Sequence, residues 1–189
     1  QVSVDPRVGA QIGQAYMDLG DYDPRAEDSY SAFKEETGRQ FDFLTDKRDG
    51  LGLDVSVSAE DPYSSPGEMR ADVERGKMSV LSTATTGGHP FLDNDTNDMF
   101  RAVHDVFGHA GSGRGFDHHG EEAAWMRHSQ MFSDRARPAM TTETRGQNSA
   151  MYFALGNQEF PEQKIGLLPK QFQSAAGTDF GRRHGWRAP

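Results

Sequence analysis

His104-Asp-Val-Phe-Gly-His109 constrains this chain more than any other feature, because it sets two imidazoles inside a stretch with helical apolar spacing. Phe100, Val103 and Phe107 recur at i, i+3 and i+7, and His104 falls at i+4 within the same stripe. His109 is five residues further on, which on an ideal α-helix turns it about 140° away. The two rings meet only if the helix ends between them, and Gly108 is the expected stop, since glycine accepts the left-handed turn that closes helices. The spacing is not that of a zincin helix, which sets its histidines at i and i+4 with Glu directly after the first. Here Asp105 follows the first histidine.

A carboxylate raises the same question 34 positions after His109. Over a helix expected from Pro138 to about Leu155, Met140, Ala150, Met151 and Ala154 share one side. Glu143 and Gln147 sit in its middle. Burying a lone carboxylate costs on the order of several kcal/mol unless a positive group meets it. A divalent ion would meet it, and so would Arg145 or Arg127. Two imidazoles and one carboxylate on one side of an ion are the donor set of mononuclear non-haem iron(II) sites. The expected ligands are therefore His104, His109 and Glu143. Glu121, Trp125 and His128, at i, i+4 and i+7 on the helix between, are expected to support them, with His128 fixing a tautomer. A di-iron bundle would need Glu-x-x-His pairs, and the chain has none.

Composition narrows the rest. The chain has no cysteine, so disulfides, thiolate zinc sites and thiol nucleophiles are excluded together, and any metal is held by nitrogen and oxygen. A net charge of −9 argues against a nucleic-acid footprint. The stretch from Lys164 to Arg187, with Lys170, Arg182 and Arg183, runs the other way and reads as a solvated basic tail. Mean hydropathy is −0.78, yet 12 Phe, 5 Tyr and 2 Trp supply a core. No run approaches the roughly 20 apolar residues of a membrane span and no signal-peptide pattern opens the chain, so a cytoplasmic location is expected. Gln1 in place of Met is what a trimmed chain would show.

The organisation expected is one α+β domain over residues 1–189, mainly helical with a few short strands. It divides into a helix-and-strand half over 1–87, metal-site helices over 88–156 and an irregular tail over 157–189. Helices are expected at Val8–Leu19 and from Pro24 to Leu44, and strands at Leu53–Ser58 and Met78–Thr83. Ser65, Pro66 and Glu68 form a capping box for a helix between the strands. A helix over Asp98–Gly108 should be capped by Asn97 or Thr96, and another should run from Asp117 to Asp134. His118 and His119 are adjacent and so diverge, and His89 in Gly-Gly-His-Pro is a candidate to line a pocket.

At these residues the sequence resembles the catalytic domain of the tetrahydropterin-dependent aromatic amino acid hydroxylases. The matching text is His104-Asp-Val-Phe-Gly-His109 and Thr142-Glu143-Thr-Arg-Gly146. Ser129-Gln130 and the loop from Pro90-Phe-Leu-Asp93 to Asp98 echo it more weakly. The resemblance covers about residues 88–146. It implies an iron(II) monooxygenase with His104, His109 and Glu143 as ligands, O2 and an aromatic or other small organic molecule as substrates, and a tetrahydropterin as electron donor. Asp105 stands where the family has a glutamate that helps seat the pterin, so Asp105 and Phe107 are the expected cofactor contacts and Asp105 the catalytic residue. Arg101 is the nearest counterpart to the family's substrate-carboxylate arginine. Phe100, Phe107 and Trp125 would line a dry pocket. A zinc hydrolase with Asp105 or Glu121 as general base is the rival reading, and a structural protein with a vestigial site is the third.

Overall fold

A computed structural model describes residues 2–175 of the chain and shows an α+β fold that is mainly helical. Residues 176–189, with Arg182, Arg183, His184 and Arg187, lie outside the described residues. The first helix, α1 (Pro6–Met17), opens on an Asp5 cap with Pro6 at its first position. A short 3-10 turn at Pro24–Ala26 leads into α2 (Glu27–Thr45), the longest helix. β1 (Asp54–Ser58) and β2 (Lys77–Leu81) pair in parallel, Asp54 opposite Lys77, with α3 (Pro66–Glu74) as the crossover between them. α4 (Asn94–Val103) follows, then α5 (His118–Ser129) and α6 (Arg137–Thr141). α7 (Gln147–Ser149) belongs to the same rod as α6, with π-helical turns at Thr142–Gly146 and Ala150–Ala154 on either side of it.

Local chemistry explains most boundaries. Ser65 Oγ accepts from Glu68 N, as a capping serine does, but the Glu68 carboxylate reaches Ser64 N at 2.9 Å, one residue outside the expected box. The α4 cap is Asp93, whose carboxylate takes Thr96 N at 2.8 Å, and not Asn97 or Thr96. Those two residues lie inside the helix. Asn97 Nδ2 donates to Thr83 Oγ1, and Asp98 accepts from both Thr83 N and Thr83 Oγ1, which ties the loop after β2 to α4.

α2 crosses the centre of the core. Phe33 meets Phe100 edge-on at 4.7 Å and Phe132 at 5.6 Å, joining α2 to α4 and to the end of α5. Burial of each such ring is worth about 1.5–3 kcal/mol. A smaller apolar cluster of Ile12, Tyr16, Ala150 and Leu168 seats α1 on the 137–154 rod. Lys164, read from sequence as the start of a solvated tail, is buried. Its Nζ donates to Met17 O and Leu19 O, the orphan carbonyls at the end of α1. Among the described residues no helix is long and apolar enough to cross a membrane.

The seat of α1 depends on Gly13, where an added Cβ would stand 2.6 Å from the Ser149 carbonyl oxygen. Gly13→Ala should therefore destabilise the protein by about 1–3 kcal/mol despite alanine's better helix propensity, lowering the thermal midpoint by several degrees in a calorimetric or circular dichroism melt.

Candidate metal centre

The backbone after α4 does not stop at Gly108. It continues as a π-helical segment, His104–Ala110, in which Gly108 keeps right-handed helical geometry. A π-helix closes i→i+5 hydrogen bonds, so residues five apart stack on one face, where an α-helix would diverge them. That register brings His104 and His109 together, with ring centroids 5.2 Å apart and planes at 84°. Gly108 contributes space instead of a chain reversal. A Cβ there would sit 3.1 Å from Ala124 Cβ and 3.2 Å from His104 Cε1, crowding both α5 and the first imidazole.

The third group arrives from α5, whose first turn is capped by Asp117. Glu121 Oε2 lies 3.2 Å from His109 Nε2 and 4.0 Å from His104 Nε2. Two donors held about 2.0–2.2 Å from one ion cannot be more than about 4.4 Å apart, so both separations suit a single cation. Asn148 Nδ2 donates to Glu121 Oε2 at 3.0 Å and holds the carboxylate in place. Among the described residues, His104, His109 and Glu121 form the group whose donor atoms lie close enough to hold a metal ion.

Each imidazole has its other nitrogen engaged. His109 Nδ1 is 3.1 Å from Gly115 O, which only accepts, so Nδ1 carries a proton and Nε2 is the nitrogen turned toward Glu121. His104 Nδ1 faces His128 Nδ1 at 3.1 Å. Burial, reinforced by the neighbouring His104 and His109, holds His128 well below the usual histidine range. Burial would also raise Glu121, but the two imidazoles outweigh it and bring its carboxyl to about 2. Burial opposes a charge on His109, while Glu121 and Asp105 raise it above the ordinary histidine value.

Glu143 is placed differently from expectation. It lines the same cavity, but its oxygens are taken by three donors. Tyr30 Oη gives to Oε1 at 2.7 Å, and His89 Nε2 and Gln147 Nε2 give to Oε2 at 3.0 and 3.1 Å. His89 Nδ1 accepts from Phe91 N and Leu92 N, which leaves the proton on Nε2. The Glu143 and His89 side chains are 4% and 1% exposed, so this is a buried carboxylate stabilised by neutral donors. Arg145, proposed to neutralise it, pairs instead with Glu122 at 2.7 Å and stacks 4.3 Å from the Trp125 ring. Arg127 is exposed and lines a separate surface depression.

The cavity over the cluster holds about 390 Å³ and is lined by Tyr63, Phe100, Asp105, Phe116 and Phe160 together with the cluster itself. Burial pushes the Asp105 carboxyl up to about 6, against the pull of His109 and His104. Phe107 and Trp125 are not among its lining. Phe107 turns the other way, stacked 6.5 Å from Phe43, because the π turn rotates it off the face that His104 and His109 share. Trp125 is buried and donates to Thr141 Oγ1. A second cavity of about 1160 Å³ shares Leu81, Arg101, Phe160 and Gln163 with the first and runs along Gly87, Gly88 and His89. Arg101 stands at that seam, with its guanidinium on Leu81 O at 2.7 Å and Thr86 Oγ1 at 3.0 Å. His118 and His119 take no part. His119 Nδ1 accepts from Val4 N, and His118 packs on Tyr152 and Phe153.

Sequence reasoning placed Glu121 in a supporting role, and only the five-residue register of the backbone brings it into ligand distance. Gln40, which contacts His128, carries no sequence signal at all. No protein-family model, curated protein or solved structure matches the chain.

Glu121→Gln should weaken binding of Co(II), a spectroscopic probe of such sites, by more than about 100-fold, beyond the 10–100-fold typical of supporting residues. Glu143→Gln should stay within that smaller range, as read by isothermal titration calorimetry. In the wild-type protein, Co(II) at 100 times its Kd should add about 2.7 kcal/mol of stability, and chelation should remove it.

Proposed function

We propose that this chain is a mononuclear non-haem iron(II) monooxygenase acting on a small organic substrate, with His104, His109 and Glu121 as the metal ligands. The observation that carries the reading is the convergence of two imidazole Nε2 atoms on one Glu121 oxygen beside a cavity of about 390 Å³. The donor set fits the ion: two neutral imidazoles and a carboxylate, with no thiolate in the chain. Iron(II) held by His104, His109 and Glu121 would supply oxygen-activating chemistry that, with a two-electron reductant such as a tetrahydropterin, puts one atom of O2 into substrate and releases the other as water.

The chain's own residues do the rest. Phe100, Phe116 and Phe160 give the cavity an apolar wall that limits water around the reacting centre. Asp105 lines the same space with a carboxyl of pKa about 6, able to orient water or reductant through a hydrogen bond in either protonation state. The second cavity along Gly87–His89 has room for a reductant beside the first. The resemblance to the pterin-dependent hydroxylases at His104–His109 agrees with this chemistry, though the carboxylate nearest the imidazoles is Glu121 and not Glu143.

A second reading is favoured by one observation. Glu143 lines the cavity without lying in the ligand cluster, and three neutral donors fix its orientation. With zinc held by the same three residues, Glu143 would serve as general base toward a water in this cavity, and the chain would then be a hydrolase.

Anaerobic reconstitution with iron(II), followed by an oxygen electrode trace with and without a tetrahydropterin, separates the two. The oxygenase reading expects one iron per chain and pterin-stimulated uptake that Glu121→Gln abolishes. Iron that binds but consumes no oxygen with any reductant would sink it. The hydrolase reading expects the zinc-loaded protein to cleave an activated ester, with Glu143→Gln losing at least about 100-fold in rate while retaining zinc.

A further inference from the structure

Gln40 lies on α2, 64 residues before His104, and its buried amide spans two fixed groups. Its Nε2 donates to the Met131 carbonyl oxygen at 3.3 Å, and its Oε1 lies 2.7 Å from His128 Nε2. A carbonyl oxygen only accepts, so the amide cannot be reversed without setting two acceptors against each other. The oxygen therefore faces His128, and His128 Nε2 must carry a proton.

The remaining nitrogen of His128 faces His104 Nδ1 at 3.1 Å, and one proton lies between them. His128 is completely buried, with ring centroids 6.0 Å from Phe100, 6.1 Å from Phe107 and 5.0 Å from Phe132. Among the described residues no carboxylate pairs with it. A second proton on that ring would bury an uncompensated charge in an aromatic cage, at a cost of several kcal/mol. The shared proton therefore sits on His104 Nδ1, and Nε2 is the nitrogen that faces Glu121.

We infer that Gln40 is a positioning residue for the candidate metal centre: acting through His128, it fixes the tautomer of His104 that leaves Nε2 free to bind a divalent ion. The inference rests on reading His104, His109 and Glu121 as ligands. The two histidines differ in what orients them. His109 gives its Nδ1 proton to the Gly115 backbone, which no side-chain change can invert. The orientation of His104 is set through two side chains, by a relay that runs from Met131 O through Gln40 and His128 to His104. Outer partners that fix a ligand's tautomer in this way tune the affinity of the site.

The test uses Gln40→Met, which keeps length and volume but removes the acceptor, and Thr37→Val as a control. Thr37 is also buried on α2, and among the described residues its hydroxyl has no hydrogen-bond partner, so the control perturbs packing without touching the relay. Nitrogen-15 long-range imidazole spectra of the metal-free wild-type protein should show His104 as the Nδ1-protonated tautomer. Gln40→Met should give a mixture of tautomers, a Co(II) Kd raised about 10- to 100-fold and a changed Co(II) absorption spectrum, while Thr37→Val matches wild type. An Nε2-protonated His104 in the wild-type protein overturns the inference, as does wild-type Co(II) affinity in Gln40→Met. If Gln40→Met does not fold, the wild-type tautomer decides the matter alone. A wild-type protein that shows the Nδ1-protonated form yet binds no Co(II) refutes the metal-centre reading and leaves the relay's polarity standing.

Discussion

The five-residue register of the backbone between His104 and Ala110 is what the candidate site depends on. An α-helical continuation of α4 would send one imidazole into the core and the other toward a different neighbour. The wider turn costs regular i→i−4 hydrogen bonds, and single π turns of this kind recur at functional positions in proteins. Here the surroundings hold it. Ala124 on α5 packs against Gly108 with no Cβ between them, Gly115 O accepts from His109, and His128 abuts His104. The 137–154 rod carries two similar turns, so the elements bearing His104, His109 and Glu143 all depart from α-helical phase.

Three glutamates in the helical core show three ways of burying a negative charge. Glu122 meets the Arg145 guanidinium, which is itself stacked on Trp125 and donates to the carbonyls of Phe172 and Ser174. That is a buried ion pair, in which Arg145 Nε donates to Glu122 Oε2 and Nη2 lies 2.7 Å from Oε1. Among the described residues Glu143 is met by Tyr30, His89 and Gln147, each a neutral donor. Glu121 is the one whose oxygen faces two imidazole Nε2 atoms, in a geometry that a divalent ion would complete. Chemical type alone does not distinguish these glutamates. Their neighbours do.

Much of the architecture was legible residue by residue. The first helix, expected over Val8–Leu19, runs over Pro6–Met17, Ser65 and Pro66 start the third, and the alternation over 53–58 marks the first strand. In each case the local signal and the tertiary demand agree. The reading of faces along the two site helices did not carry over. It assumed 3.6 residues per turn, which placed Trp125 and Phe107 toward the cavity and Glu143 among the ligands. The π turn in the first segment puts Phe107 against Phe43, while Trp125, on the regular helix α5, packs under the Arg145 guanidinium. Arg145 was a reasonable partner for Glu143 two residues away, but a side chain on the opposite face cannot reach it, and Glu122 lies there instead.

By itself the sequence determined that no thiolate can take part, since the chain has no cysteine, and it set two histidines in an apolar stripe as the nitrogen donors on offer. It also determined the helical class, because apolar periodicity and caps act over a few residues. Which glutamate joins the imidazoles, which nitrogen of His104 faces the cavity and which residues wall it were decided only in three dimensions. Those outcomes depend on the phase of a helix and on hydrogen bonds between segments as far apart as Gln40 and His128, and no local pattern encodes either.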